Sequence, residues 1–238
     1  MTDFARGGIV PKTGKVVVRK GEKIRAPQPT WDILICSIEH RTDMLTELLA
    51  ELDRQLVPGV GVRVYRDNLE TPLSEKCQRL LDSSQADYVS FIDDDDWIVD
   101  DFVKTIMKAL RKRPDYVGFK VLYTVNGEPQ MPAFHSLKHN GWTNTPEALY
   151  RDISHLNPIR RDLASRSTWS GRDDNVCDAQ WAAGLSQLGC VKTEVCIDRE
   201  LYHYRYRPAV SFAASAAQAP MTEHPPRPEA EFVTWLEP

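Results

Sequence analysis

From Trp31 onward the chain alternates between apolar runs and amphipathic stretches. The run "WDILICS" (31–37) is almost continuously apolar, the pattern of a strand covered on both faces. In the following "DMLTELLAELDRQL", Met44, Leu45, Leu48, Leu49 and Leu52 recur at helical spacing, and Thr42 stands where an N-cap is expected. "VPGVG" ends that helix. A second strand, "VRVYRD", ends in Asp67; a helix capped by Ser74 carries Leu80 and Leu81; a third strand, "YVSFID", follows. "DDFVKTIMKALRKRP" reads as a helix with acid at its start, base at its end and Pro114 as a stop. "DYVGFKVLYTV" reads as a further strand. The order β-α-β-α-β predicts an α/β fold built on a parallel sheet.

Open α/β sheets bind ligands where loops leave the carboxyl ends of their strands. Two predicted strand ends carry acid: Asp67, and the run Asp93, Asp94, Asp95 and Asp96. Neighbouring carboxylates repel by about 1 kcal/mol per pair in water, and by several times more where water is scarce. A divalent cation relieves that repulsion, and one or two carboxylates plus phosphate oxygens are the usual way proteins hold Mg²⁺ or Mn²⁺. Alternate side chains of an extended segment share a face, so Asp93 and Asp95 are expected to converge, leaving Asp94 or Asp96 to cap the next helix or bind hydroxyls. The sequence contains no Gly-x-x-x-x-Gly-Lys-Ser/Thr loop and no Gly-x-Gly-x-x-Gly after the first strand, which removes P-loop and dinucleotide-binding readings.

Taken together, "ILICSIEHRTDMLTELLAEL", "VRVYRDN" and "SEKCQRLLDSSQADYVSFIDDDDW" resemble the nucleotide-sugar-binding half of family 2 glycosyltransferases of the GT-A fold. The resemblance covers residues 31 to 112 well. It implies a Rossmann-like, mixed but mainly parallel sheet flanked by helices. The expected domain spans 30–212, divided into a nucleotide-sugar-binding half (30–113) and an acceptor and catalytic half (114–212). On this resemblance Asp67 contacts the nucleobase, Lys76 lies near the diphosphate, and Asp93-x-Asp95 is the metal motif with Asp95 the direct ligand. Ser37, the adjoining Glu39-His40 pair and Asp94 also fall on the donor side.

The second half matches less closely. The family's Glu-Asp-x-Asp-Trp segment resembles "CDAQWAAGL", which makes Asp178 the implied catalytic base, with Asp174 as the alternative. "LYHYRYRPAVS" is similar to the segment that closes over the diphosphate in relatives, implying His203 as a third metal ligand and Arg205 and Arg207 as phosphate contacts. His155, Trp142 and Trp169 fall in the expected acceptor half. The implied reaction is metal-dependent (Mn²⁺ or Mg²⁺), inverting transfer from a nucleoside-diphosphate sugar, UDP-linked by preference, to an acceptor hydroxyl. The acceptor stays open among glycan, protein and modified nucleic acid. Rival readings are a sugar-1-phosphate nucleotidyltransferase, whose Gly-rich N-terminal loop is lacking, a metal-dependent phosphatase or nuclease, and a binding module of the same fold without turnover.

Composition adds bounds. A chain of 238 residues with 42% hydrophobic content supports one sizeable α/β domain. No apolar run approaches the roughly 20 residues of a membrane span and the first residues lack a signal-peptide pattern, so a cytoplasmic location is expected. Five cysteines without a Cys-x-x-Cys pair are expected to be reduced thiols. The net charge of −4 hides a basic arm: residues 1 to 26 carry seven Lys/Arg against Asp3 and Glu22, leaving −9 for the remainder. That arm (1–29) suits an anionic partner or a solvated tail, and the Ala/Pro-rich stretch 213–238 reads as a flexible tail.

Overall fold

The computed structural model describes residues 27–170, 176–207 and 233–234. Most of the arm and of the C-terminal stretch therefore lies outside the described residues. The first half runs β1 (Trp31–Ile38), a short 3-10 turn (Glu39–Arg41), α1 (Thr42–Gln55), β2 (Val60–Asp67), α2 (Leu73–Ser83), β3 (Tyr88–Phe91), β4 (Trp97–Ile98) and α3 (Phe102–Leu110). The second runs β5 (Tyr116–Val125), β6 (Glu128–Pro129), β7 (Ala133–His135), β8 (Thr143–Asn144), β9 (Leu149–Arg151), β10 (Ile159–Arg160), α4 (Arg161–Ala164), α5 (Cys177–Leu188) and β11 (Glu194–Tyr206), followed by β12 (Val233–Thr234).

One mixed sheet joins these strands, in the order β12-β2-β1-β3-β10-β5-β7-β9-β8. Its centre is parallel, β1 lying between β2 and β3. β11 pairs parallel with β5 and antiparallel with β4, and its register slips between Ile197 and Tyr202. β12 lies antiparallel to β2 at Val64 and Arg63. The architecture is the expected one, a Rossmann-like sheet flanked by helices.

The apolar run of β1 is explained by two cores. Trp31, Ile33 and Ile35 join Leu45, Leu48 and Leu52 of α1 and Phe102, Val103 and Ile106 of α3 on one face. Leu34 joins Cys77, Leu80 and Leu81 of α2 and Trp181 and Leu185 of α5 on the other. Each fully buried leucine contributes about 1.5–3 kcal/mol. After α1 the chain turns at Gly59, whose φ of 89° suits glycine, and its carbonyl accepts the Trp31 N–H at 2.8 Å.

Helix starts differ in detail from the sequence pattern. Thr42 is the first residue of α1 rather than its cap, and its hydroxyl donates back to the Glu39 carbonyl at 2.5 Å. α2 begins at Leu73 behind Pro72, so Ser74 lies inside its first turn. The N-terminus of α3 is satisfied from α1: Gln55 Oε1 accepts the Val103 N–H at 3.1 Å, while Gln55 Nε2 donates to the Val99 carbonyl at 2.8 Å. Neither Asp94 nor Asp96 caps it. All five cysteines are free thiols, with the Cys36 and Cys77 sulfurs 3.5 Å apart. No helix of the described residues is long and apolar enough to cross a membrane.

Candidate active site

β3 stops at Phe91, and the four aspartates that follow occupy a turn closed by the Asp96 N–H donating to the Asp93 carbonyl at 3.1 Å. They are therefore not an extended segment. The odd and even carboxylates still part company, because of their partners. Asp94, 2% exposed, accepts from Ser37 Oγ at 2.7 Å and from Arg41 at 2.8 Å. Asp96, also buried, accepts from the Tyr202 hydroxyl at 2.7 Å and the Arg205 N–H at 2.7 Å. Asp93, its side chain 42% exposed, and Asp95 retain access to solvent.

β11 straps this turn in place. The Tyr202 hydroxyl accepts the Asp93 N–H at 3.1 Å while donating to Asp96. Arg205 donates to the carbonyls of Asp95 and Asp96, at 3.0 and 2.7 Å, and stacks over Trp97. Arg207 donates to the Asp95 carbonyl at 2.9 Å. The two arginines expected at the phosphates thus hold the backbone of the tetrad. His203, expected as a third metal ligand, is placed elsewhere. Its Nε2 meets Thr124 Oγ1 of the neighbouring β5 at 3.0 Å.

The charges are pushed apart. Burial raises Asp95, and with the repulsion of Asp93 and Asp94 it outweighs Arg41, 3.4 Å away, so that the carboxyl is pushed up to about 6. Burial, then Asp93 and Asp95, raise Asp96 well above the carboxylate range. Asp93 goes the other way: burial opposes it, but His155 and Arg41 hold it lowered. Among the described residues no group of three His, Cys, Asp or Glu side chains is arranged to hold a metal ion. Asp95 faces an excess of negative charge that burial makes costly, and carboxylate oxygens such as those of Asp93 and Asp95 are of the kind that suits a hard divalent cation sharing phosphate oxygens.

Across the tetrad sits His155, in the loop between β9 and β10, its carbonyl accepting the Phe91 N–H at 2.8 Å. Its Nε2 is 3.8 Å from Asp93 Oδ1 and its Nδ1 is 3.5 Å from Asp178 Oδ2. Burial disfavours protonation, but Asp93, and then Asp178, outweigh it and raise the imidazole's pKa. Asp178 lies in the first turn of α5, where Oδ1 also accepts the Ala179 N–H at 2.8 Å. One imidazole thus lies within ion-pair distance of Asp93 and of Asp178, while its Nδ1 makes no hydrogen bond among the described residues. Asp174 lies outside the described residues.

Two further expectations change. Lys76 is buried and bonded to Asp67 and, at 3.1 Å, to the Ser37 carbonyl, so it ties β1 to β2 below the site instead of standing free for a diphosphate. Asp67 also accepts the N–H groups of Leu69 and Thr71, at 3.2 and 2.9 Å, which shapes the loop after β2. Trp169 is 5% exposed, stacked on Trp181 with ring centroids 5.1 Å apart; it belongs to the core and offers no face to an acceptor. Glu39 and His40 are exposed in the turn after β1. The residues missed by sequence reasoning are Arg41 and Tyr202. Arg41 lies directly after the Glu39-His40 pair, and Tyr202 is flagged only by standing one place from His203.

Similarity to solved structures was found with this geometry. A structure of a fragment of S. aureus TarS superposes with a TM-score of 0.56 at 15% identity, covering 74% of this chain and 60% of that one. The same fragment in complex with UDP-GlcNAc gives 0.57 at 14%, covering 75% and 59%. In complex with UDP it gives 0.54 at 17%, covering 75% and 61%. The chain thus spans about three-fifths of the structures it resembles. No family model matches it, and no curated protein matches it in sequence. What these comparisons establish is the fold, a GT-A-like arrangement shared with TarS.

Proposed function

We propose that the protein transfers a sugar from a nucleoside-diphosphate sugar, UDP-linked, to an acceptor hydroxyl with inversion at the anomeric carbon. The observation that carries this reading is His155 set between Asp93 and Asp178, at 3.8 and 3.5 Å, which brings a strand-end acid of the donor half near a carboxylate on α5. The likeness to a protein solved with UDP-GlcNAc and with UDP supports the choice of donor. Asp178 takes the proton of the acceptor hydroxyl as that oxygen bonds to the anomeric carbon and the diphosphate departs from the opposite face. His155, flanked by two carboxylates, limits the repulsion between Asp178 and Asp93 when protonated. Arg205 and Arg207 fix the tetrad backbone, so the carboxylates are preorganised rather than recruited. Asp93 and Asp95 would hold Mn²⁺ or Mg²⁺, which supplies Lewis-acid neutralisation of charge on the leaving diphosphate.

Asp178→Asn tests this. UDP release from UDP-GlcNAc in the presence of an acceptor is expected to fall by about 10²–10⁴-fold, while UDP affinity measured calorimetrically stays unchanged. Near-normal turnover in that variant refutes the base assignment, and failure of the native protein to bind UDP with or without Mn²⁺ refutes the donor assignment.

A further inference from the structure

We propose that Trp142 is a stacking platform for the acceptor and that the acceptor presents a neutral pyranose ring. The inference rests on the transferase reading and names the substrate class of its acceptor side. Trp142, 37% exposed, is one of few large apolar side chains left open to solvent among the described residues. It is not loose. Its Nε1 donates to the Ile153 carbonyl at 2.7 Å, and the Arg151 guanidinium lies 4.6 Å from its ring centroid. Arg151 is fixed in turn, donating to Asn144 Oδ1 at 2.9 Å and the Tyr150 carbonyl at 2.8 Å. One face and one edge of the indole are therefore engaged, while the side chain keeps 37% of its surface open. Gly141, at φ 75°, makes the turn that delivers it.

The position is next to the chemistry. The indole is bonded to the Ile153 carbonyl, and Ile153 packs in the same core cluster as Phe91, whose N–H donates to the His155 carbonyl at 2.8 Å. Ile153, which anchors the indole, is two residues from His155. A rigid aromatic face binds a ring at little entropic cost, because nothing has to be ordered on contact.

The rim selects the ligand class. From Asn140 to Pro146 the chain reads "NGWTNTP", without a charged residue, and Asn140, Thr143 and Asn144, beside Trp142 in the chain, are exposed. Amides and hydroxyls match sugar hydroxyls, and the indole matches the C–H face of a pyranose. A phosphate backbone asks for cations beside its stacking faces; Arg151 instead lies against the indole and spends its Nη1 on Asn144 Oδ1 and the Tyr150 carbonyl.

The test uses saturation-transfer-difference NMR on the full chain with a panel of methyl pyranosides, alongside calorimetric titration with UDP. Saturation is expected on the ring C–H protons of at least one pyranoside. The signal should fall about tenfold in Trp142→Ala and largely survive in Trp142→Phe. UDP affinity should be the same in all three proteins, which also shows that the variants are folded. No saturation of any pyranoside, or equal saturation in native protein and Trp142→Ala, overturns the proposal. So does Trp142-dependent binding of a single-stranded oligonucleotide in place of the sugars. Pyranoside binding that depends on Trp142 in a protein that fails to bind UDP sinks the transferase reading and leaves the platform standing.

Discussion

The two halves of the molecule are built on different principles. In residues 31–110 the strands gather on β1, which lies parallel to β2 and β3 and matches β2 over eight consecutive residue pairs from Trp31↔Val60 to Ile38↔Asp67. In residues 116–206 many strands are two or three residues long, and the principal pairing joins β5 to β11, with Glu194 opposite Tyr116. The first half is a scaffold whose pattern is local. The second half supplies what sits on that scaffold, and its pairings span most of the domain.

The contrast is broken most strongly on the scaffold side. Leu48, fully buried in α1, is expected to cost about 2–5 kcal/mol as Leu48→Ala, because a cavity opens between helix and sheet. Urea unfolding checks this, and a loss below about 1 kcal/mol would show that the first half is not the stability core. A change in the strap should be smaller and more specific. Tyr202→Phe leaves a buried Asp96 oxygen and the Asp93 N–H without their partner and is expected to cost about 2 kcal/mol. It should also weaken UDP binding, which Leu48→Ala should not do in the fraction that remains folded.

The smallest expected effect is a pH dependence. Asp95 titrates near 6 in the folded chain against an ordinary 3.8, so between those values the folded state binds a proton that the unfolded state has released. Stability contributed by that proton is complete below about pH 4 and is lost as pH rises through about 6. Asp95→Asn should remove this slope. The variant is expected to gain about 1–2 kcal/mol over the native protein at about pH 8, and nothing at about pH 4. Parallel thermal melts check it; a variant less stable than the native protein at the higher pH would contradict the excess of negative charge around the tetrad.

The same division governs what the sequence reveals. β1, α1, β2 and α3 are legible because period-2 and period-3.6 patterns record which faces are buried, and both cores draw on these elements. The separation of Asp93 and Asp95 from Asp94 and Asp96 is legible too, but for another reason than alternation. A turn presents the four side chains, and Ser37, Arg41, Tyr202 and Arg205 sort them. The direction of His203 is not legible, since the facing of β11 is fixed by pairing with β4 and β5 rather than by its own pattern. The place of His155 between Asp93 and Asp178 is equally hidden, because it depends on the Phe91 backbone bond and on where α5 begins. Trp169 reads as an aromatic available to sugars until Trp181, on another element, covers it.

The strap formed by β11 also sets an order of events during synthesis. When β3 and its aspartates emerge from the ribosome, Tyr202 and the Arg205 N–H that hold Asp96 are still 106 and 109 residues away in the chain. Closing a loop of that length costs about 4 kcal/mol in chain entropy before any bond is made. A nascent chain can therefore fold its β-α-β scaffold while its carboxylates remain unheld, and the site is completed only after β11 has been made.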